Sequence, residues 1–157
     1  MNRAAVNAEE VPLPGWSSAL GGFALKVLAE IKRDNWDLSI LLCGDTTIKE
    51  LNAKYRGKEE ATDVLSFELG AEIQEEGGVR CLPGDIVISL DTLRENSRYF
   101  QTSEEEELRR LLIHGILHLD GMDHRTNDDT EPMIALQEDL LKKLKKEPPI
   151  LPQGGER

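Results

Sequence analysis

The sequence predicts one domain of the α/β (α+β) class with a small mixed β-sheet. The chain has 157 residues, which suits a single domain with a substantial core. Segments with strand-like and helix-like patterns alternate along it, as in domains that pack helices against a sheet. One helix-like segment is apolar on nearly every side from Leu111 to Leu119, which indicates a buried central helix.

An irregular segment and a helix are predicted at the start of the chain. We expect residues 1–15 to be irregular, with only a weak strand signal at Ala4–Asn7. Ser17 or Ser18 can cap the first helix, and apolar residues then recur at helical spacing to about Arg33.

A buried strand and a second helix follow. The run Asp37–Cys43 has the apolar character of a buried strand. The second helix is predicted to begin between Asp45 and Thr47, because Thr47 and Glu50 have the spacing of a capping box. Gly57 is expected to end it by adopting the left-handed conformation.

Two further strands are predicted near the middle of the chain. Thr62–Leu69 is the first, and Asp85–Leu90, which follows a Pro-Gly turn, is the second. The segment Gly70–Gly78 between them is acidic and contains glycine, so we expect a loop there.

Three helices are predicted in the C-terminal part. A short helix spans Asp91–Tyr99, and the central helix runs from a capping box at Ser103 and Glu106 to about Leu119. The last helix spans about Pro132–Lys146, with proline in its first turn. The four glutamates at the start of the central helix are expected to be solvated.

The element pattern places the folded domain at residues 16–147. The tail at residues 148–157 is rich in proline and glycine and is expected to be disordered. No apolar stretch approaches the roughly 20 residues that span a bilayer, and the N-terminus lacks a secretory pattern. We therefore expect a cytoplasmic protein with no membrane partner. Cys43 and Cys81 are far apart, which favours reduced thiols without an assigned role.

All three histidines lie in one short motif, HGILHLDGMDH. On a helix, His114 and His118 share one face and lie about 6 Å apart along the axis. Gly121 can end that helix and turn the chain, which brings His124 to the same place. Three imidazoles with an open fourth position are typical of a catalytic zinc site, although imidazole also suits nickel, copper and iron.

A glycine stands where a related protease motif has its base. The HExxH metalloproteases place glutamate directly after the first histidine, but this chain has Gly115 there. Glycine also weakens a helix by roughly 1 kcal/mol relative to alanine. We therefore expect another part of the protein to approach the helix backbone closely at this position.

A second group of polar residues lies around the end of the second helix. Taken alone, Lys54 and Arg56 are explained as partners of the helix dipole, and Thr62 and Asp63 as turn formers. That structural explanation is the one that the residues by themselves favour.

Three motifs taken together resemble one known family. They are LNAKYRGKEEATDVLSF at residues 51–67, PGDIVIS at residues 83–89 and HGILHLDGMDH at residues 114–124. The pattern resembles the YbeY family of bacterial single-strand-specific endoribonucleases, which process ribosomal RNA. The sequence departs from the family at Met122, where tyrosine is usual, and at Glu68, where proline is usual.

The resemblance implies a fold, a cofactor and site residues. The family fold is a central mixed sheet of about four strands flanked by helices, an ordinary arrangement for a small domain. One zinc ion is implied on His114, His118 and His124, with nickel or another divalent metal as an alternative. Arg56 is implied as a residue required for RNA cleavage, and His114 as a catalytic residue through the metal.

The resemblance also implies a function and partners. The implied function is metal-dependent hydrolysis of RNA as an endoribonuclease, in 3′-end maturation of small-subunit ribosomal RNA and ribosome quality control. The implied partners are single-stranded or ribosomal RNA, the small ribosomal subunit, a small-subunit ribosomal protein and an assembly GTPase. Two alternatives stay open: a ribosome assembly factor with a mainly structural metal, and a metzincin-like metalloprotease.

The chemistry expected of an endoribonuclease leaves one role unassigned. The metal would activate water or act as a Lewis acid on the scissile phosphate, and Arg56 would pair with that phosphate. No residue stands out as the general base in place of the missing glutamate. Asp85, Asp120 and Asp123 are candidates that the sequence does not rank, and Asp123 is also a candidate to orient a ligand histidine.

RNA binding is unexpected for so acidic a chain. The formal net charge is −11, which argues against binding of nucleic acid by bulk attraction. Single strands commonly stack on aromatic side chains, yet Tyr55, Phe67 and Tyr99 are expected to lie in the core. A basic cleft, with RNA delivered by ribosomal partners, reconciles these facts with a nuclease.

Overall fold

A four-stranded mixed sheet lies at the centre of the computed structural model, which describes residues 1–152. The strands are β1 (Arg3–Ala8), β2 (Trp36–Cys43), β3 (Val64–Glu75) and β4 (Gly78–Ser89). Their order across the sheet is β1-β2-β4-β3. β2 pairs in parallel with β1 and β4, whereas β3 is antiparallel to β4. The predicted mixed sheet in a single α+β domain is therefore confirmed.

Five helices flank the sheet: α1 (Ser17–Glu30), α2 (Asp45–Arg56), α3 (Leu90–Tyr99), α4 (Glu104–Leu119) and α5 (Pro132–Lys143). Helix α4 contacts β3, β4, α1, α3 and α5, so it is the predicted central helix. Its apolar side chains are buried, and those of Leu112, Ile113 and Ile116 are fully so. Within residues 1–152, no helix has both the length and the apolar character needed to cross a membrane.

The N-terminal segment, expected to be irregular, contains strand β1. The weak strand signal at Ala4–Asn7 was therefore correct, and the strand is slightly longer than the signal. Its register pairs Arg3 with Asp37 and Ala8 with Leu42. Burial alternates along the strand: Ala4, Val6 and Ala8 pack against the core, and the residues between them are exposed.

The predicted caps of α1 and α2 are wrong. The N-cap of α1 is Trp16, which provides no side-chain hydrogen bond, so Ser17 lies inside the helix. The backbone N–H of Thr47 donates to the Glu10 carboxylate at 2.8 Å instead of forming a capping box with Glu50. A carboxylate from outside the helix supplies the capping acceptor there.

The cap of α4 and the end of α2 agree with their predictions. The hydroxyl of Ser103 accepts a hydrogen bond from the Glu106 N–H at 3.0 Å. Gly57 ends α2 with a φ of 69°. Glu107, in contrast, is buried rather than solvated, and the Arg110 guanidinium donates to it at 2.9 Å.

The segment Gly70–Gly78, predicted as a loop, is mostly strand. β3 and β4 form a long hairpin whose pairing extends to Glu75 opposite Gly78. The register shifts between Glu68 and Ala71, and Gly70 lies in that interval with a φ of 62°. This irregularity interrupts the sequence pattern of a strand without ending the strand.

The start of the C-terminal tail packs against the domain, contrary to expectation. Ile150 and Leu151 are buried, and both backbone N–H groups donate to the Glu105 carboxylate. The Arg109 guanidinium donates to the carbonyl of Pro148 at 3.0 Å. The prediction of disorder is therefore wrong for residues 148–152, and residues 153–157 lie outside the described part of the chain.

Both cysteines are free thiols, as predicted. Burial raises the pKa of Cys43 to about 12. A thiol with so high a pKa is a poor nucleophile, so Cys43 behaves as a core residue.

Candidate metal centre

The three histidines meet at the C-terminal end of α4. His114 and His118 lie one helical turn apart on α4, which ends at Leu119. Gly121 then adopts a φ of 95°, and the chain reverses so that His124 returns to the end of the helix. One possible ligand atom from each ring lies within 4.8 Å of the other two. The convergence predicted from the spacing and from Gly121 is therefore present.

Each ring is held by an oxygen atom at its Nδ1 position. The acceptors are the Gln137 side-chain oxygen for His114 (2.6 Å), the Met122 carbonyl for His118 (3.1 Å) and the Thr126 carbonyl for His124 (2.7 Å). A carbonyl or amide oxygen can only accept, so each Nδ1 must carry the proton and donate it. All three Nε2 atoms are then left with a free lone pair, which is the state that binds a metal.

The separation of two Nε2 atoms suits a shared metal ion. Nε2 of His114 lies 3.1 Å from Nε2 of His118. With both protons on Nδ1, no hydrogen is available to bridge this gap, so the two lone pairs repel. Two nitrogens at about 2.0–2.1 Å from a tetrahedral zinc ion would stand about 3.3 Å apart. The residues present therefore fit a metal ion at this centre.

Burial and the neighbouring imidazoles favour the neutral forms of His114 and His118. Burial lowers the pKa of His114, and the neighbouring His118 and His124 lower it further against the effect of the hydrogen bond to Gln137. The pKa of His118 is lowered by burial, then by His124, with a smaller contribution from Arg56. Neutral imidazole is the form that coordinates metals.

Arg56 lies close enough to the histidines to influence them. It is the last residue of α2, and its guanidinium donates to the Ser66 carbonyl of β3 at 3.2 Å. Its positive charge contributes to the lowered pKa of His118. The dipole explanation for Arg56 remains valid, but the fold also brings this exposed cation within electrostatic range of His118.

Gly115 allows α4 to pack tightly on the sheet, as expected. A Cβ atom at this position would lie 2.8 Å from Cγ2 of Ile86, a fully buried residue of β4. A glutamate here would therefore enter the packed layer between helix and sheet rather than approach the histidines. The geometry disfavours the metalloprotease alternative for this reason.

The three candidate bases have different surroundings. Asp120 is engaged by the Arg33 guanidinium through two hydrogen bonds, at 2.6 and 3.1 Å. Asp85 lines a groove away from the histidines, together with Tyr55 and Phe67. Asp123 accepts the backbone N–H of the next residue, and its charge opposes the lowering of the His118 pKa, so it lies within electrostatic range of the centre. It does not orient a ligand ring, because other oxygens hold all three Nδ1 atoms.

Sequence reasoning missed the cleft beside His114. The cavity has a volume of about 470 Å³ and is lined mainly by polar side chains, including Asp63, Glu107, Arg110, Gln137 and Glu138. Asp63 lies directly before β3, and the other four residues come from α4 and α5. Gln137 in particular carried no signal, because a glutamine on an amphipathic helix is ordinary and lies far from the histidine motif.

The aromatic side chains are more exposed than predicted. Tyr55 is 58% exposed and Tyr99 is 80% exposed, whereas both were expected in the core. Phe67 is half buried and forms an edge-to-face pair with Tyr55, with ring centroids 5.3 Å apart. The Tyr55–Phe67 pair therefore lies on an accessible surface, in the groove that Asp85 also lines.

Comparison with known proteins identifies close sequence relatives. Residues 11–145 match the family model described as "Endoribonuclease YbeY". Proteins of that name from Treponema pallidum and Treponema denticola are 45% and 48% identical over 142 and 124 residues. These matches cover 90% and 78% of this chain and 89% and 80% of the relatives. A homologue of the same name from Borreliella burgdorferi is 42% identical over 79% of this chain and 84% of its own.

A solved structure has the same overall fold. It is the solution structure of a protein from Thermotoga maritima, 27% identical in sequence, with a TM-score of 0.60. The match covers 98% of this chain and 99% of that protein.

Proposed function

This chain belongs to the YbeY endoribonuclease family, and we propose that it hydrolyses single-stranded RNA at the centre formed by His114, His118 and His124. The observation that supports the proposal is the orientation of the three rings. Each Nδ1 donates to an oxygen, so the three Nε2 lone pairs face one another. All three side chains are only partly buried, so solvent and substrate can reach the centre.

We propose zinc as the ion, because three imidazoles are a common ligand set of catalytic zinc. Nickel or another divalent metal remains an alternative, since imidazole also suits those ions. When bound, such an ion supplies Lewis-acid polarisation of the scissile phosphate. His114 takes part in catalysis as one of its ligands.

Arg56 is proposed to bind the phosphate on the other side of the reacting bond. Its hydrogen bond to Ser66 uses only one of the five guanidinium N–H groups. The remaining donors can form two parallel hydrogen bonds to phosphate oxygens and stabilise the charge that develops during cleavage. The contact with β3 fixes the direction of the side chain before the substrate binds.

The surface around Tyr55, the residue before Arg56 in α2, has features that suit a single strand. Lys54 lies over the ring of Tyr55, with its Nζ 5.1 Å from the centroid, and the exposed Tyr55 ring offers a stacking surface. The net charge of −11 opposes RNA binding elsewhere on the molecule. We therefore propose weak intrinsic affinity for RNA and delivery of the substrate by ribosomal partners.

The proposed biological substrate is the precursor of small-subunit ribosomal RNA. By analogy with the family, the chain would mature its 3′ end and act in ribosome quality control in the cytoplasm. The small subunit, one of its proteins and an assembly GTPase are the proposed partners. A role as an assembly factor with a mainly structural metal is the second candidate, and the acidic charge of the chain favours it.

The first experiment is cleavage of a single-stranded RNA oligomer by metal-loaded protein. His114→Ala is purified in parallel, and Asp139→Asn serves as a control because this exposed residue pairs only with Lys143 on the surface of α5. We expect cleavage by the parent and by Asp139→Asn, loss in His114→Ala, and little cleavage of the corresponding duplex. Equal cleavage by His114→Ala would contradict the proposal. No cleavage by the parent, on free RNA or on immature small subunits, would favour the assembly-factor role.

A further inference from the structure

We propose that Gln137 is a positioning residue of the metal centre, which fixes the tautomer and the direction of His114 and is itself held by Glu138. The inference rests on the proposed function, because it concerns the same centre. It assigns a role to α5, which otherwise supplies no residue to the site.

Gln137 makes the shortest of the three contacts that orient the histidines. Its side-chain oxygen lies 2.6 Å from Nδ1 of His114, and only 6% of the residue is exposed. The other two rings are held by backbone carbonyls of the segment after α4. Gln137 is therefore the one side chain among the three acceptors and the one that comes from a separate helix.

The orientation of the Gln137 amide is determined by its second contact. The amide nitrogen donates to the Glu138 carboxylate at 3.0 Å. If the amide were turned over, its oxygen would face this carboxylate and its NH₂ group would face Nδ1 of His114. An oxygen against a carboxylate is repulsive, so the observed orientation is strongly preferred. The ring must then donate from Nδ1, which leaves its Nε2 free for the metal.

Glu138 is in turn fixed by α4. The Arg110 guanidinium donates to both Glu138 oxygens, at 2.9 and 3.2 Å, and also to Glu107 at 2.9 Å. A forked pair of this kind defines the position of the carboxylate more strictly than a single contact does. A chain of hydrogen bonds therefore connects Arg110 of α4 through Glu138 and Gln137 of α5 to His114, which is also on α4.

The expected consequence concerns metal affinity rather than folding. Removing the hydrogen-bond partner of a metal-binding histidine typically weakens metal affinity about 10–100-fold. Gln137→Met keeps most of the side-chain volume but has no acceptor for Nδ1–H.

The test measures zinc affinity by competition with a chromophoric chelator, using the full chain stripped of metal. We expect Gln137→Met to bind Zn²⁺ about 10–100-fold more weakly and Asp139→Asn to match the parent. Nitrogen NMR of the metal-free protein supplies a second readout that needs no enzyme activity. His114 should be in the Nδ1–H form in the parent and should lose that preference in Gln137→Met.

Two results would overturn the inference. One is a Gln137→Met protein that binds Zn²⁺ as tightly as the parent and keeps the same tautomer. The other is a parent in which His114 carries its proton on Nε2, which decides the question even if Gln137→Met does not fold. If the parent binds no metal but His114 is in the Nδ1–H form, the proposed function fails while the positioning role of Gln137 stands.

Discussion

Replacing Gly115 with alanine should destabilise this protein, although the same change in an exposed helix is stabilising. An alanine in place of glycine inside a helix gains about 1 kcal/mol. Here the added Cβ would lie 2.8 Å from Cγ2 and 3.0 Å from Cγ1 of Ile86. Both atoms are bonded to the Ile86 Cβ, so rotation of the side chain cannot move both away. Overpacking of this kind costs about 1–3 kcal/mol, which leaves a net destabilisation of up to about 2 kcal/mol.

Shortening Ile86 should make Gly115→Ala stabilising instead of destabilising. Ile86→Ala alone is expected to cost about 2–5 kcal/mol, because it leaves a cavity in the core. In that background the three atoms nearest to the added Cβ are gone, so Gly115→Ala should stabilise the protein by up to about 1 kcal/mol. Urea unfolding of the four proteins measures both effects, provided that the slope of the transition is unchanged. Equal effects of Gly115→Ala in the two backgrounds would refute the packing argument.

Three further predictions concern the site and the tail. Arg56→Lys should reduce RNA cleavage about 100-fold without changing the unfolding midpoint, because lysine lacks the planar fork that binds a phosphate through two donors. Adding Zn²⁺ at 100 times its dissociation constant should stabilise the metal-free protein by about 2.7 kcal/mol, measured as a shift in urea unfolding. Burial alone would raise the pKa of Glu105, but hydrogen bonds from Ile150 and Leu151 and from Arg109 outweigh it and hold the pKa below its usual value. Glu105 therefore contributes stability above the pKa of the unfolded chain, near 4.3, and loses it as the pH falls through the lower folded value.

Each of these predictions has a result that would contradict it. Cleavage by Arg56→Lys at the parent rate would exclude the two-donor contact, and Lys49→Arg on the same helix is a suitable control substitution. Zn²⁺ that stabilises His114→Ala as much as the parent would indicate binding at another place. For Glu105, the variant Glu105→Gln should flatten the decline of stability between about pH 5 and 3; an unchanged decline would assign it to other carboxylates.

The features that were predicted correctly from the sequence are those that depend on residues close together along the chain. The burial of α4 follows from its continuous apolar surface, and the meeting of His114, His118 and His124 follows from a four-residue spacing plus a glycine that can take a positive φ. These features depend on residues that are neighbours along the chain. A periodic pattern or a turn residue is sufficient to reveal them.

The features that were missed depend on partners distant in sequence. The burial of β1 alternates, but exposed Ala5 is no more polar than the inward Ala4 and Ala8, so its pairing with β2, more than thirty residues later, was not evident from the sequence. The carboxylate of Glu10 replaces the expected capping box of α2 for the same reason. Gln137 was invisible because its role depends on the packing of α5 against α4. No local pattern contains that information.

The sheet order leaves β3 as an outer strand, and this position has a consequence for association between copies. An outer strand presents free backbone groups to which another chain can add a strand. Here Gly70 lies at an irregularity in β3, and exposed Glu68 and Glu72 flank it, which are devices that discourage such addition. The Arg56 guanidinium also binds the Ser66 carbonyl of this strand. The protection by Glu68 and Glu72 is electrostatic, so strand addition between molecules should become easier as the pH approaches the isoelectric point near 4.8. Preparations of this protein should consequently be handled well above that pH.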